Sequence, residues 1–277
     1  MLIAKKSLRL ALGLLFILLV NGAGAGVMNI AALQDRGVIK KGSLIVFLVT
    51  EDPNNYNAHV TIPVFADLLT KKYGYNTRVL LGEGPSGACR FPDMKVLAEA
   101  DLLVVFSRRI ALPHAQMQAL KDYLASGKPL IGIRTANHAF TVNGQIEKGY
   151  EDWPGFVSEI LGCKNRGYGP VTPGTEVSVV ASEWNHTIAA NIGVSQWHSN
   201  GNVYLVKPLL DTRAKILLTG KAEGLEEPVA WTRMAGDSKI FYTSLGYPDD
   251  FKTPEFTTLL VNAVKWALAG NLIPKLK

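Results

Sequence analysis

Residues 128–140 read Lys128-Pro129-Leu130-Ile131-Gly132-Ile133-Arg134-Thr135-Ala136-Asn137-His138-Ala139-Phe140. Four apolar residues stop abruptly at an arginine. A short apolar run bounded by turn residues fits a strand buried on both faces. Open α/β sheets gather functional groups just beyond the carboxyl end of such a strand. Arg134, Thr135 and His138 are therefore the first candidates. A charge that ends a buried strand needs a partner or a ligand. His138 can trade protons near neutrality, although a histidine fixed beneath the turn by backbone bonds fits the same pattern. Arg134 cannot serve as a nucleophile, because its guanidinium stays protonated.

The flanking sequence repeats this strand-and-helix rhythm. Residues 44–49, 77–81, 102–106 and 130–133 read as strands. Ile62, Phe65, Ala66, Leu68 and Leu69 recur at helical spacing and stop near Gly74. Pro113 opens a second helix that closes at Ser126-Gly127. Such alternation calls for an α/β fold with a doubly wound, mostly parallel sheet. The second half is different. After a helix at 153–161, residues 176–181, 202–206, 215–219, 229–234 and 239–244 read as strands with few helices between them. That pattern predicts a β-rich C-terminal elaboration, closed by an amphipathic helix over 254–268.

Several polar clusters sit at strand ends. Glu51-Asp52-Pro53-Asn54-Asn55-Tyr56-Asn57-Ala58-His59 follows the first strand. Glu51 or Asp52 is a candidate general base, with Tyr56 or His59 to orient a hydroxyl and Asn54 to bind a ligand; a solvated Asx turn explains the same residues. Arg108 and Arg109 follow the third strand, placed to clamp a carboxylate, a phosphate or a polarised carbonyl, although for one of the two a surface arginine fits as well. Tyr247-Pro248-Asp249-Asp250 closes the last strand. There Asp249 and Asp250 are candidate acid–base groups, with Asp249 taken as the proton carrier, Tyr247 a stacking surface, and one Asp a helix cap. Trp197, between polar residues, is the candidate sugar platform among the five tryptophans.

Other motifs are weaker. Gly82-Glu83-Gly84-Pro85-Ser86-Gly87 spells G-x-G-x-x-G, but Pro85 interrupts it and no helix starts inside it, so no nucleotide is expected. There is no H-E-x-x-H and no C-x-x-C. His186 and His198 remain as metal candidates only if they meet in space with a carboxylate, which leaves a divalent metal open.

The amino terminus has its own logic. Lys5, Lys6 and Arg9 precede an apolar run at 10–20 and an Ala23-Gly24-Ala25 site. That is the pattern of a secretory signal peptide covering 1–25, and the run is too short to span a membrane. The expected product is one domain over 26–277, exported to a periplasm or the exterior without a stable membrane anchor. Segment 1–25 holds three basic residues and no acidic one, so its removal lowers the formal net charge from +6 to +3. A mildly basic chain with a single arginine pair is not expected to bind nucleic acid. An oxidising compartment permits a Cys89–Cys163 bridge, whose geometry cannot be read from sequence.

Read together, residues 51–69, Ala100-Asp101-Leu102-Leu103-Val104 with Arg108, 127–140, His186-Thr187-Ile188, Pro228-Val229-Ala230-Trp231, 241–251 and 262–268 resemble the trehalose-utilisation (ThuA-like) family. The resemblance implies a class I glutamine amidotransferase-like, flavodoxin-like fold. It also implies a link to disaccharide catabolism, including routes through 3-keto sugars. In working amidotransferases the turn after residues 130–133 carries a nucleophilic Cys; Arg134 occupies that position here. Many family members carry His at the positions of Arg134 and Tyr247, so any role of those histidines is in doubt for this chain. Cys163 lies outside the activating turn.

These readings converge on an exported enzyme acting on a small glycoside or an oxidised sugar. Arg134 and one of Arg108 or Arg109 would stabilise negative charge on oxygen. His138, Glu51 or Asp249 would move the proton. Asn54, Tyr56, His59, Thr135, Trp197 and Tyr247 would bind substrate. On this reading Arg134→Ala abolishes turnover with little loss of fold. The rival reading is a non-catalytic sugar-binding module on the same scaffold.

Overall fold

The computed structural model of the chain describes residues 42–270; the expected signal peptide at 1–25 lies outside them. In chain order the elements are β1 (Leu44–Thr50), α1 (Ala58–Tyr73), β2 (Asn76–Gly82), β3 (Leu102–Phe106), β4 (Leu112–Pro113), α2 (His114–Ala125) and β5 (Leu130–Ile133). A 3₁₀ turn, Arg134–His138, follows directly. Then come β6 (Tyr150–Glu151), a π-helical turn (Phe156–Leu161), β7 (Thr175–Val179), β8 (Gln196–Ser199), β9 (Lys215–Ala222), β10 (Leu225–Ala235), β11 (Ser238–Thr243) and α3 (Pro254–Leu268).

Among the described residues nine strands form one sheet in the order β2-β1-β3-β5-β11-β10-β9-β7-β8. The first five are mutually parallel. From β11 onward every pairing is antiparallel. The core is thus the expected α/β sheet, and the elaboration extends it at one edge. β4 and β6 form a separate two-stranded ribbon.

The period of two along β1 assigns its residues to two layers. Ile45, Phe47 and Val49 pack with α1 (Ile62, Phe65, Leu69) and α3 (Phe256, Leu259, Val264). Val46 and Leu48 pack on the other face with α2 (Met117, Leu120, Leu124) and with Phe156 and Leu161 of the π-helical turn. Both faces of the central strands are covered, which explains why they read as unbroken apolar runs. Helix ends follow local chemistry. Gly74, at φ 72°, closes α1 in the left-handed conformation. Pro254 sits at the start of α3, where the Thr253 side chain accepts the Phe256 N–H.

Two local readings need correction. Residues 202–206 are not a strand; Tyr204 makes one isolated bridge to Tyr168, and the segment is buried beside the 3₁₀ turn. The strand lies earlier, at Gln196–Ser199. The helix expected at 153–161 is the shorter π-helical turn Phe156–Leu161. Cys89 and Cys163 are separate buried thiols, each raised to about 12 chiefly by burial.

Strand order reverses between β1 and β3. The chain leaves β1 to one side for β2, then returns to β3 on the other. A crevice opens at such a switch point, outside the carboxyl ends of the strands.

Candidate functional site

Asn55 closes the floor of this crevice. Its Nδ2 donates to the Thr50 carbonyl (3.0 Å), to Thr50 Oγ1 (3.1 Å) and to the Phe106 carbonyl (2.8 Å). Its Oδ1 accepts from Thr135 Oγ1 at 2.5 Å. One buried amide therefore joins the ends of β1 and β3 to the turn after β5. Nothing in the sequence distinguished Asn55 from Asn54. The structure leaves Asn54 exposed, bonded back to Asp52.

Arg134 turns inward. Its φ of 44° is strained for a bulky residue, as at the tight turn that follows a strand at many functional sites. Only 1% of the residue is exposed. Nη1 donates to the Ser244 carbonyl (2.8 Å) and Nη2 to Asn202 Oδ1 (2.7 Å). The guanidinium carbon lies 4.0 Å from the ring centroid of Tyr56, 4.8 Å from that of Tyr204 and 5.7 Å from that of Tyr247. A Cβ added at Gly201 would stand 2.9 Å from Nη1, so glycine is needed for this approach. Tyr242 donates its hydroxyl to the Arg134 carbonyl at 2.8 Å. Three tyrosines from three loops thus enclose the cation. Tyr56 and Tyr247, expected to hold a ligand, hold Arg134, and Thr135 is spent on Asn55.

His138 ends the same turn and lines a cleft of about 590 Å³. Arg109, Lys164, Asn165, Ser158 and Tyr168 share that cleft, and among the described residues no carboxylate does. The His138 Nδ1 lies 2.5 Å from Asn137 Oδ1. An amide oxygen only accepts, so Nδ1 carries the proton and Nε2 keeps its lone pair. Among the described residues the only hydrogen bond of the ring is the one at Nδ1, and the buried Asn137 Nδ2 is left without a partner. Burial, then Arg109, Arg108 and Arg134, push the imidazole down to about 3, so it is neutral at physiological pH. Arg109, at φ 50°, is held by Asn143 Oδ1 at 2.7 Å and its N–H bonds the His138 carbonyl at 3.1 Å. Tyr168 is 43% exposed and forms an aromatic wall.

Arg108 points the other way. It pairs with Asp52 at 2.7 Å and lines a second cleft, about 630 Å³, with Glu51 and Glu83. Burial raises the Asp52 carboxyl, but the Asn54 backbone N–H, Arg108 and the Asn54 side-chain amide together outweigh it and hold the group below its usual range. The adjacent arginines therefore serve different clefts. Glu51 is exposed in the second one, not beside His138.

The remaining candidates are dispersed. Asp249 lies in the outer turn, bonded to Asn200 (3.1 Å) and Lys252 (2.7 Å). Asp250 is the buried one; its Oδ2 accepts the N–H groups of Gly246 (2.8 Å) and Tyr247 (2.9 Å). His59 is half-buried on α1, with Nδ1 unpaired among the described residues. Trp197 packs against the core from β8 instead of forming an open platform. His198 pairs with Glu176 at 2.6 Å, whereas His186 packs near Trp266. Among the described residues no group of three His, Cys, Asp or Glu could hold a metal. Lys164, Asn165 and Tyr168 went unnoticed in the sequence because they belong to a loop distant from any strand end.

The sequence model of the trehalose utilisation family, ThuA, matches residues 44–267. A ThuA-like protein from Bacteroides uniformis ATCC 8492 superposes with a TM-score of 0.60 at 16% identity, covering 82% of this chain and 92% of that one. A second, from Parabacteroides merdae ATCC 43184, gives 0.58 at 16% identity, covering 83% and 91%. A cold-adapted β-galactosidase from Rahnella sp. R3 gives 0.50 at 11% identity; the match spans 83% of this chain and 32% of that one. At such identities the likeness is one of fold. No curated protein matches the chain in sequence.

Proposed function

The chain belongs to the trehalose-utilisation (ThuA) family, and from that premise we propose that it processes a disaccharide or glycoside through its oxidised, 3-keto form, after export from the cytoplasm. One observation carries this reading: among the described residues the cleft beside His138 combines an imidazole nitrogen, two cations and an aromatic wall, without a carboxylate. Hydrolysis of an unmodified glycoside ordinarily needs two carboxylates flanking the bond. Proton transfer next to a ketone needs instead a base and a positive charge at the developing enediolate.

The roles follow from position. Tyr168 would take the apolar face of a sugar ring. Arg109 and Lys164 would draw the ketone oxygen. His138 Nε2 would take the adjacent C–H proton. A nitrogen held at about 3 is a weak base in the resting protein. Part of that weakness comes from the neighbouring guanidinium groups, and negative charge building on the substrate oxygen would cancel it. The base would thus strengthen as the proton moves. Arg134 acts behind the site, fixing Tyr204, whose ring centroid is 6.2 Å from that of His138.

A second reading, a sugar-binding module without chemistry, is favoured by one fact: Arg134, Glu51 and Asp249 do not converge on His138. Product formation separates the two. NMR would follow the protein with a disaccharide and with its 3-keto form. The enzyme reading expects turnover of the keto form, lowered about 100-fold or more by His138→Gln, with binding retained. Saturable binding with no product would establish the module instead, and turnover unaffected by His138→Gln would remove His138 from the chemistry.

A further inference from the structure

At the other end of the sheet lies a recess of about 310 Å³ that the proposed reaction does not use. Met234 pairs with Lys239 at the start of β11, so this end of β10 is opposite the catalytic cleft. β9 begins at Lys215, opposite Thr232, and β10 runs on past it to Ala235. The recess occupies the space left beyond the start of β9, with Trp266 of α3 as one wall.

Its charges do not balance. Among the described residues Arg213, Lys215 and Arg233 line it with one carboxylate, Asp211, while Glu183 acts on His186 from nearby. Asp211 is shared, 3.2 Å from Arg213 Nε and 3.3 Å from Arg233 Nε. Arg233 is fixed further by donating to the carbonyls of Glu159 (2.6 Å) and Ile160 (2.7 Å). Lys215 meets no carboxylate among the described residues. His186 contributes a further donor. Its Nδ1 accepts the Ile188 N–H at 3.2 Å, which leaves the proton of the neutral ring on Nε2. Trp266 adds an apolar wall, with the His186 ring centroid 6.4 Å and Lys239 Nζ 5.5 Å from its ring centroid.

We infer that this recess binds an anionic pyranose, with the ring against Trp266 and its oxyanion between Lys215, Arg213 and His186. The surplus of cations calls for an anion. The tryptophan calls for a ring with an apolar face. The volume lies at the lower end of the range for ligand pockets, which limits the occupant to about one sugar ring. The oxyanion is either a carboxylate, as in a uronate, or a phosphate ester.

Calorimetry on the full chain at low salt tests this with glucuronate, glucose 6-phosphate, glucose and inorganic phosphate. The expected result is that one anionic sugar binds at least about tenfold tighter than glucose and than inorganic phosphate. Whichever binds identifies the oxyanion. Lys215→Gln, at an exposed position, should weaken that sugar about tenfold, the order of one charge-assisted hydrogen bond. Trp266→Leu should weaken the sugar and leave inorganic phosphate unchanged. Three results would overturn the inference: neither anionic sugar exceeding glucose, inorganic phosphate binding equally well, or Lys215→Gln having no effect.

Discussion

Replacing Arg134 with alanine should damage the fold itself. The substitution removes two charge-assisted hydrogen bonds, to the Ser244 carbonyl and to Asn202 Oδ1, at 2.8 and 2.7 Å. Each is worth about 1.5–3 kcal/mol. It also removes cation–ring contacts that reach about 2 kcal/mol when desolvated. Against this stands relief from the burial of a charge, itself several kcal/mol. The two buried acceptors, the Ser244 carbonyl and Asn202 Oδ1, stay behind unpaired at about 1–3 kcal/mol each, so a net destabilisation of about 3–5 kcal/mol is expected. For a domain of this size each kcal/mol moves the melting temperature by roughly 2–4 °C, so a fall of about 10 °C is expected. Arg134→Met restores volume without charge and should lose less than alanine. Urea unfolding and calorimetry of the three proteins would measure this. An alanine variant within about 1 kcal/mol of the parent would refute the tyrosine cage as a structural unit. Loss of activity in this variant would accompany loss of stability, unlike the clean catalytic loss that the sequence led us to expect.

Further predictions concern the same region. The His138 imidazole has its ordinary value of 6.5 in the unfolded chain and about 3 in the fold. Its contribution is therefore present above about pH 6.5 and lost as pH falls toward 3, at about 1.4 kcal/mol per unit. His138→Gln should flatten the pH dependence of unfolding free energy in that window, and an unchanged slope would contradict a neutral buried ring. Asp250→Ala should cost about 2–3 kcal/mol by freeing the Gly246 and Tyr247 N–H groups, whereas Asp249→Ala should leave the urea midpoint where it was. Gly201→Ala should cost about 1–3 kcal/mol, because its Cβ meets Arg134 Nη1 at 2.9 Å and Tyr247 Cβ at 3.0 Å. Cys89 and Cys163, buried thiols raised to about 12, should resist an aromatic disulfide reagent at pH 8 until denaturant is added; rapid labelling of the native protein would show that a thiol is reached.

The sequence by itself determined the central architecture. Residues 44–50 and 102–106 are apolar at every position but Thr50, which only a doubly covered strand tolerates. The helix over 254–268 carried its own start signal and its own apolar face. Local chemistry of that kind acts over a few residues and survives reading one letter at a time. The location of the candidate site was legible for the same reason, since functional groups follow the ends of central strands. Segment 202–206 was misread because apolar spacing there reports burial, and burial beside Arg134 looks the same as burial in a sheet.

The direction of each side chain was decided only by the tertiary structure. Arg134, Thr135 and His138 are near neighbours in sequence, yet the first enters a tyrosine cage, the second bonds Asn55 and the third lines a cleft. Arg108 and Arg109 are adjacent and serve opposite clefts. Their partners, Asp52 and Asn143, are 56 and 34 residues away. Whether a charge is spent inside the fold or left for a ligand depends on such distant partners. Composition, periodicity and spacing report only what lies within a few residues, so they placed these groups near one crevice and could not assign their work.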